Sequence, residues 1–190
     1  MTPLRSKLTP VLLAVALVGV SAAGLRLSEP EEKPFEAING VVGEPVKINN
    51  GEVTVTRIRV GDAIRQYGEI RDQTAGMFVA VTVTGAATGP KPLELQKVRL
   101  LSGAVSYEGF ELSAGFTAQP GFQTSVESVF EVDPGQINDL TLELRSNEII
   151  SGYQQRVRIG LGVTPAIAAQ WRAASEGVLE PATDTARAIP

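Results

Sequence analysis

The chain has 190 residues, enough for one domain with a substantial core. It contains no histidine and no cysteine and carries a net charge of −4. Ser-His-Asp and Cys-His catalysis are therefore excluded, a disulfide framework is impossible, and zinc lacks its usual ligands.

Residues 1–7 hold Arg5 and Lys7 and no acid. Residues 8–25 follow as 18 uncharged positions rich in Leu, Val and Ala, closed by Arg26. A basic start before an apolar run is an export signal, cleaved or retained as an anchor. As a helix the run would span about 27 Å, which suits an anchor at the short end of the range. Val20-Ser21-Ala22 before Ala23 would also serve a signal peptidase, so both readings stand. The expected partner of residues 8–25 is the membrane bilayer, with the C-terminal domain outside the cell membrane. The alternative is a secreted protein cleaved near Ala22.

Because residues 1–27 hold three cations and no acid, the remaining 163 residues carry a net −7. Such an acidic domain is a poor ligand for nucleic acid or anionic lipid. Residues 28–38 begin with the polar, proline-containing SEPEEKP and are expected to form a linker. Residues 39–164 then alternate short apolar segments with Gly, Pro, Asn and Asp, the pattern of an all-β sandwich or barrel.

A first short strand lies within 41–48, broken at Gly43 and Pro45, and Asn49-Asn50-Gly51 marks a turn. Residues 52–60 form a second strand with Thr54, Thr56, Ile58 and Val60 on one face and Arg57 and Arg59 on the other. Residues 61–76 are expected to be a long polar connection. Residues 77–84 put Met77, Val79, Val81 and Val83 on one face. Residues 95–101 and 104–107 suggest a hairpin turning at Ser102-Gly103. Residues 123–132 point Val126, Phe130 and Val132 inward and Glu127 and Glu131 outward. Leu140, Leu142 and Leu144 alternate with Thr141, Glu143 and Arg145. Val157, Ile159, Leu161 and Val163 alternate with Arg156, Arg158 and two glycines.

Outward charge suggests a strand order. The second strand exposes arginines and the fifth exposes glutamates; the sixth exposes Glu143 and the seventh exposes Arg156 and Arg158. Opposite charges on neighbouring strands suit an immunoglobulin-like order, second beside fifth and sixth beside seventh. Thr164-Pro165 starts a C-terminal helix over 165–179, with Ile167 and Trp171 on one face. Residues 180–190 are expected to be a flexible tail.

Three features carry a family resemblance. They are the strand Phe78-Val79-Ala80-Val81-Thr82-Val83-Thr84, the hairpin Leu100-Leu101-Ser102-Gly103 ending at Tyr107, and Gln119-Pro120-Gly121 followed by Phe130-Glu131-Val132-Asp133-Pro134. On these the segment 41–163 resembles small exported bacterial immunoglobulin-like domains, telokin-like folds that include secreted mycobacterial-type antigens. The resemblance implies a two-sheet antiparallel sandwich at the cell surface or in the medium. It implies no catalytic residue, and the Trp171 segment lies outside its pattern.

Function is then expected to lie in surfaces. Gly109-Phe110, Gly115-Phe116 and Gly121-Phe122 recur six apart. They would present rings to a ligand or cap the core. Ile167 and Trp171 would dock on the sandwich or in a partner's groove. Asp62, Glu69 and Asp72, with Tyr67 and Arg71 between, match no calcium loop. The leading expectation is a non-catalytic cell-envelope interaction module with a protein partner, no cofactor and no metal, accessory to a membrane complex. The alternative is a released binding protein for a small apolar ligand or glycan, which predicts exposed Phe110, Phe116 and Phe122. An enzyme is the weakest reading, since no carboxylate spacing points to one.

Overall fold

The structure, a computed structural model, describes residues 35–189 apart from 111–114, 151–152 and 175–176. The proposed signal or anchor at 1–27 and the first part of the linker lie outside the described residues. Among the described residues no helix is long and apolar enough to cross a membrane.

In chain order the strands are β1 (Phe35–Val41), β2 (Val46–Ile48), β3 (Gly51–Gln66), β4 (Glu69–Ala87), β5 (Leu93–Ser102) and β6 (Val105–Glu108). They continue as β7 (Phe116–Ala118), β8 (Phe122–Val132), β9 (Thr141–Ile150) and β10 (Tyr153–Gly160). Helix α1 (Pro165–Ala173) follows, then β11 (Val178–Leu179) and β12 (Thr185–Ala188). They build two sheets. One runs β1-β10-β9-β5-β6, with β7 also on β5. The other runs β11-β3-β4-β8-β12, with β2 also on β3.

The core lies between the sheets, and two-residue alternation explains its content. Val53, Val55, Met77, Val79, Val81, Val83, Phe130 and Val132 face Leu95, Leu100, Leu142, Leu144, Val157 and Ile159 in one buried cluster. Phe116 joins that cluster and sits over Gly85, where a Cβ would lie 2.5 Å from the ring. Thr164 caps α1 by accepting from the Ile167 amide, and Pro165 opens the helix.

The all-β sandwich stands, with four departures from expectation. First, residues 61–76 are no loop: they continue β3 and β4, which pair through Gln66↔Glu69 around a two-residue turn at Tyr67-Gly68. That turn forces β3 and β4 to be neighbours, so the second departure concerns strand order. The second predicted strand pairs with the third, not the fifth, while the sixth and seventh pair as expected. Third, the sheets are not purely antiparallel, because β1 runs parallel to β10 and β11 parallel to β3. Strand β1 also takes 35–38 out of the expected linker.

Fourth, the C-terminal helix ends at Ala173, and residues 177–189 run from one edge of the second sheet to the other. Where a flexible tail was expected, β12 pairs with Ser125–Phe122 of β8. Neither terminal strand shows in the sequence as a run of alternating apolar residues, and β12 is exposed at every position. Backbone hydrogen bonds to a sheet edge are what place it.

Candidate interaction surface at the hairpin tip

The β3–β4 hairpin extends beyond the last pairing of β4 with β8, Met77↔Val132. Its tip is Tyr67-Gly68, with φ of +55° and +86°. Both residues of such a turn need positive φ, which Asn-Gly supplies at least cost. A tyrosine there is opposed by its own Cβ, by roughly 1–2 kcal/mol. Its ring recovers nothing through burial, since Tyr67 is 96% exposed. Ile70, on the returning strand, is also exposed.

Behind the tip lies a cleft of about 610 Å³, bordered by Arg65, Tyr67, Glu127, Glu180, Pro181 and Asp184. Its floor is ionic. Glu127 points away from the core yet is buried, because the C-terminal segment covers it. It takes two bonds from Arg59, at 3.2 and 2.5 Å, one from the Thr82 hydroxyl and one from the Ala182 amide. Arg59 reaches it across β4, past Ala80 and Thr82. At the rim, Arg65 meets Glu180 at 3.1 Å. Partial desolvation raises the Asp184 carboxyl from its ordinary value, although the side chain stays exposed.

A second ionic cluster lies on the outer face of the other sheet. The row Arg158–Glu143–Arg99 crosses β10, β9 and β5 in register. Glu143 is fully buried. Burial would push its carboxyl up, but hydrogen bonds from Arg158, Arg99 and Arg145 outweigh that and hold it below the usual glutamate range. Alongside, the buried Arg156 guanidinium stacks 3.8 Å over the Phe35 ring. Both carboxylate oxygens of Glu143 are engaged by guanidinium groups, so the cluster holds the sheet face together and leaves no carboxylate edge open to a ligand.

The residues singled out from the sequence do not converge. Phe110 is half-buried, edge-on to Phe78 at 6.3 Å between ring centroids. Phe116 is in the main core. Phe122 is 44% exposed and borders a depression of about 340 Å³ beside Thr185 and Ala186. Ile167 and Trp171 are half-buried against the main core. None of these five borders the cleft at Tyr67. Sequence reasoning named Tyr67 only as a residue between acids. The signal available was Tyr67-Gly68 itself, an aromatic in a two-residue turn, hidden because residues 61–76 carry no strand alternation.

No family model matches the chain, and no curated protein matches it. Among solved structures, it is similar to an uncharacterized β-sandwich protein from Clostridium difficile 630. The identity is 12%, over 68% of this chain and 99% of that one, with a TM-score of 0.41. It is also similar to the yjhA protein from Bacillus subtilis, at 13% identity over 63% of this chain and 99% of that one, with a TM-score of 0.48.

Proposed function

We propose that this protein is a non-catalytic extracytoplasmic interaction domain, tethered to the cell membrane through residues 1–27 and accessory to a membrane complex. Export rests on the basic start and the 18-residue apolar run. The motifs around Phe78–Thr84 and Phe130–Pro134 support a place beside the small exported immunoglobulin-like domains. The single observation that carries the interaction reading is Tyr67, an exposed ring kept in a backbone conformation that disfavours it. Folding gains nothing from a tyrosine there, and strain retained without a folding benefit points to function. An exposed tyrosine next to an exposed isoleucine is the kind of anchor protein interfaces use.

Tyr67→Asn separates binding from folding, because asparagine suits the turn better. Crosslinking in intact cells, followed by purification of the domain, should recover a membrane-protein partner with the native chain and lose it with Tyr67→Asn. Equal recovery with both chains would remove Tyr67 from the interface. The second reading, a released binding protein for an apolar ligand or glycan, has Phe122 and its depression in its favour. It requires a mature protein that begins near Ala23.

A further inference from the structure

Residues 177–189 lie on the second sheet in the manner of a bound peptide. The Gly177 carbonyl accepts from the Asp62 and Ala63 amides at 2.9 and 3.4 Å. Val178 and Leu179 pair in parallel with Ala63 and Ile64. Leu179 is buried in a separate apolar cluster with Ile64, Phe78, Ala80 and Val129, flanked by Phe110. Arg59 then donates to the Glu180 carbonyl at 2.8 Å, and Glu127 accepts from the Ala182 amide at 2.7 Å. Beyond, β12 pairs with β8, and the Ile189 amide donates to the Gly121 carbonyl.

Most of this hold is on the main chain. Val178 and residues 182–189 keep their side chains exposed. Among the described residues, the segment's side chains bond at Glu180 to Arg65 and at Arg187 to Gln123, both at the surface. Recognition therefore asks for one leucine-sized anchor and an extended backbone, the requirements of peptide recognition by strand addition. No residue of 177–189 belongs to the main core. Glu127 would keep Arg59 and Thr82 if the segment left, so its departure strands no buried charge.

We propose that this groove is a binding site for an extended polypeptide. Residues 177–189 are its occupant in cis, exchangeable for a segment of a partner chain that carries an apolar anchor ahead of an extended stretch. This inference stands independently of the membrane tether and of Tyr67.

The test uses the full chain and a fluorescent peptide of residues 177–189. Leu179→Asp in the chain unseats the cis segment and leaves the groove intact. The peptide should bind that variant at least about tenfold more tightly than the native chain, because the cis segment competes at high effective concentration. The same peptide with Leu179→Asp should not bind. Equal weak binding to both chains, with the variant folded by near-UV circular dichroism, would overturn the proposal. If the variant fails to fold, hydrogen exchange on the native chain decides. The amides of Asp62, Ala63 and Ala182 should exchange together, well ahead of β4. Exchange only with the main sheets would overturn it. A concentration-dependent dimer of the native chain that the peptide dissolves would support the groove, with a second copy as the donor.

Discussion

Tyr67, Glu143 and the phenylalanines each carry a different kind of cost. Tyr67 holds its ring in water at a positive φ. Tyr67→Asn is predicted to raise stability by about 1 kcal/mol in urea denaturation, since it relieves the turn and loses no buried area. Glu143 is the opposite case, a buried carboxylate whose cost is offset only by its arginines. Glu143→Gln leaves those arginines without a counter-charge and is predicted to cost about 3 kcal/mol at neutral pH. The sign of the pH dependence follows from the lowered folded-state value. Stability from Glu143 is fully present above the ordinary, unfolded-state carboxyl value and is lost as pH falls through the lower folded-state value. Denaturation curves of native and variant chains should therefore converge in that acid window. Among the phenylalanines, Phe116→Ala should cost about 3–5 kcal/mol. Phe122→Ala should cost about 1 kcal/mol or less, because only the first ring is in the core. The sequence treated the two alike, as members of one Gly-Phe series.

Elements whose two faces differ in polarity were legible. The alternation in 77–84, 123–132, 140–145 and 157–163 gave the core-facing residues of β4, β8, β9 and β10. Elements defined by a distant partner were not. The outer arms of β3 and β4 bury Ala63 and Ile64, and part of their cover is Leu179, which arrives 115 positions after Ile64. No local period can announce such a contact. The outward glutamates show the same limit. Glu127 and Glu143 were expected on exposed faces, and both are buried, one under the C-terminal segment and one under arginines. The close approach of that segment sets a requirement at Gly61. A Cβ there would lie 2.3 Å from the Gly177 carbonyl oxygen and 2.9 Å from Leu179 Cγ. Gly61→Ala should therefore speed exchange of the Asp62 and Ala63 amides while the main sheets keep their protection. Gly89→Ala, which meets nothing within 4 Å, should leave the exchange pattern unchanged.

For the whole molecule, composition narrowed the available chemistry and structure set the surfaces. Missing histidine and cysteine removed the commonest catalytic and zinc chemistries before any fold was known. Periodicity narrowed the fold to an all-β sandwich or barrel but did not give the strand order, because a two-residue turn inside a polar stretch joins β3 to β4. The candidate surface at that turn was hidden for the same reason. The most direct test of the account is a photoreactive amino acid placed at position 67 in the full-length chain, with a matched substitution at the exposed turn residue Ala104 as control. After irradiation of intact cells, position 67 should give a specific adduct with a membrane protein, and position 104 should not. An adduct pattern at 67 no different from that at 104 would contradict the claim that the hairpin tip is the interaction surface.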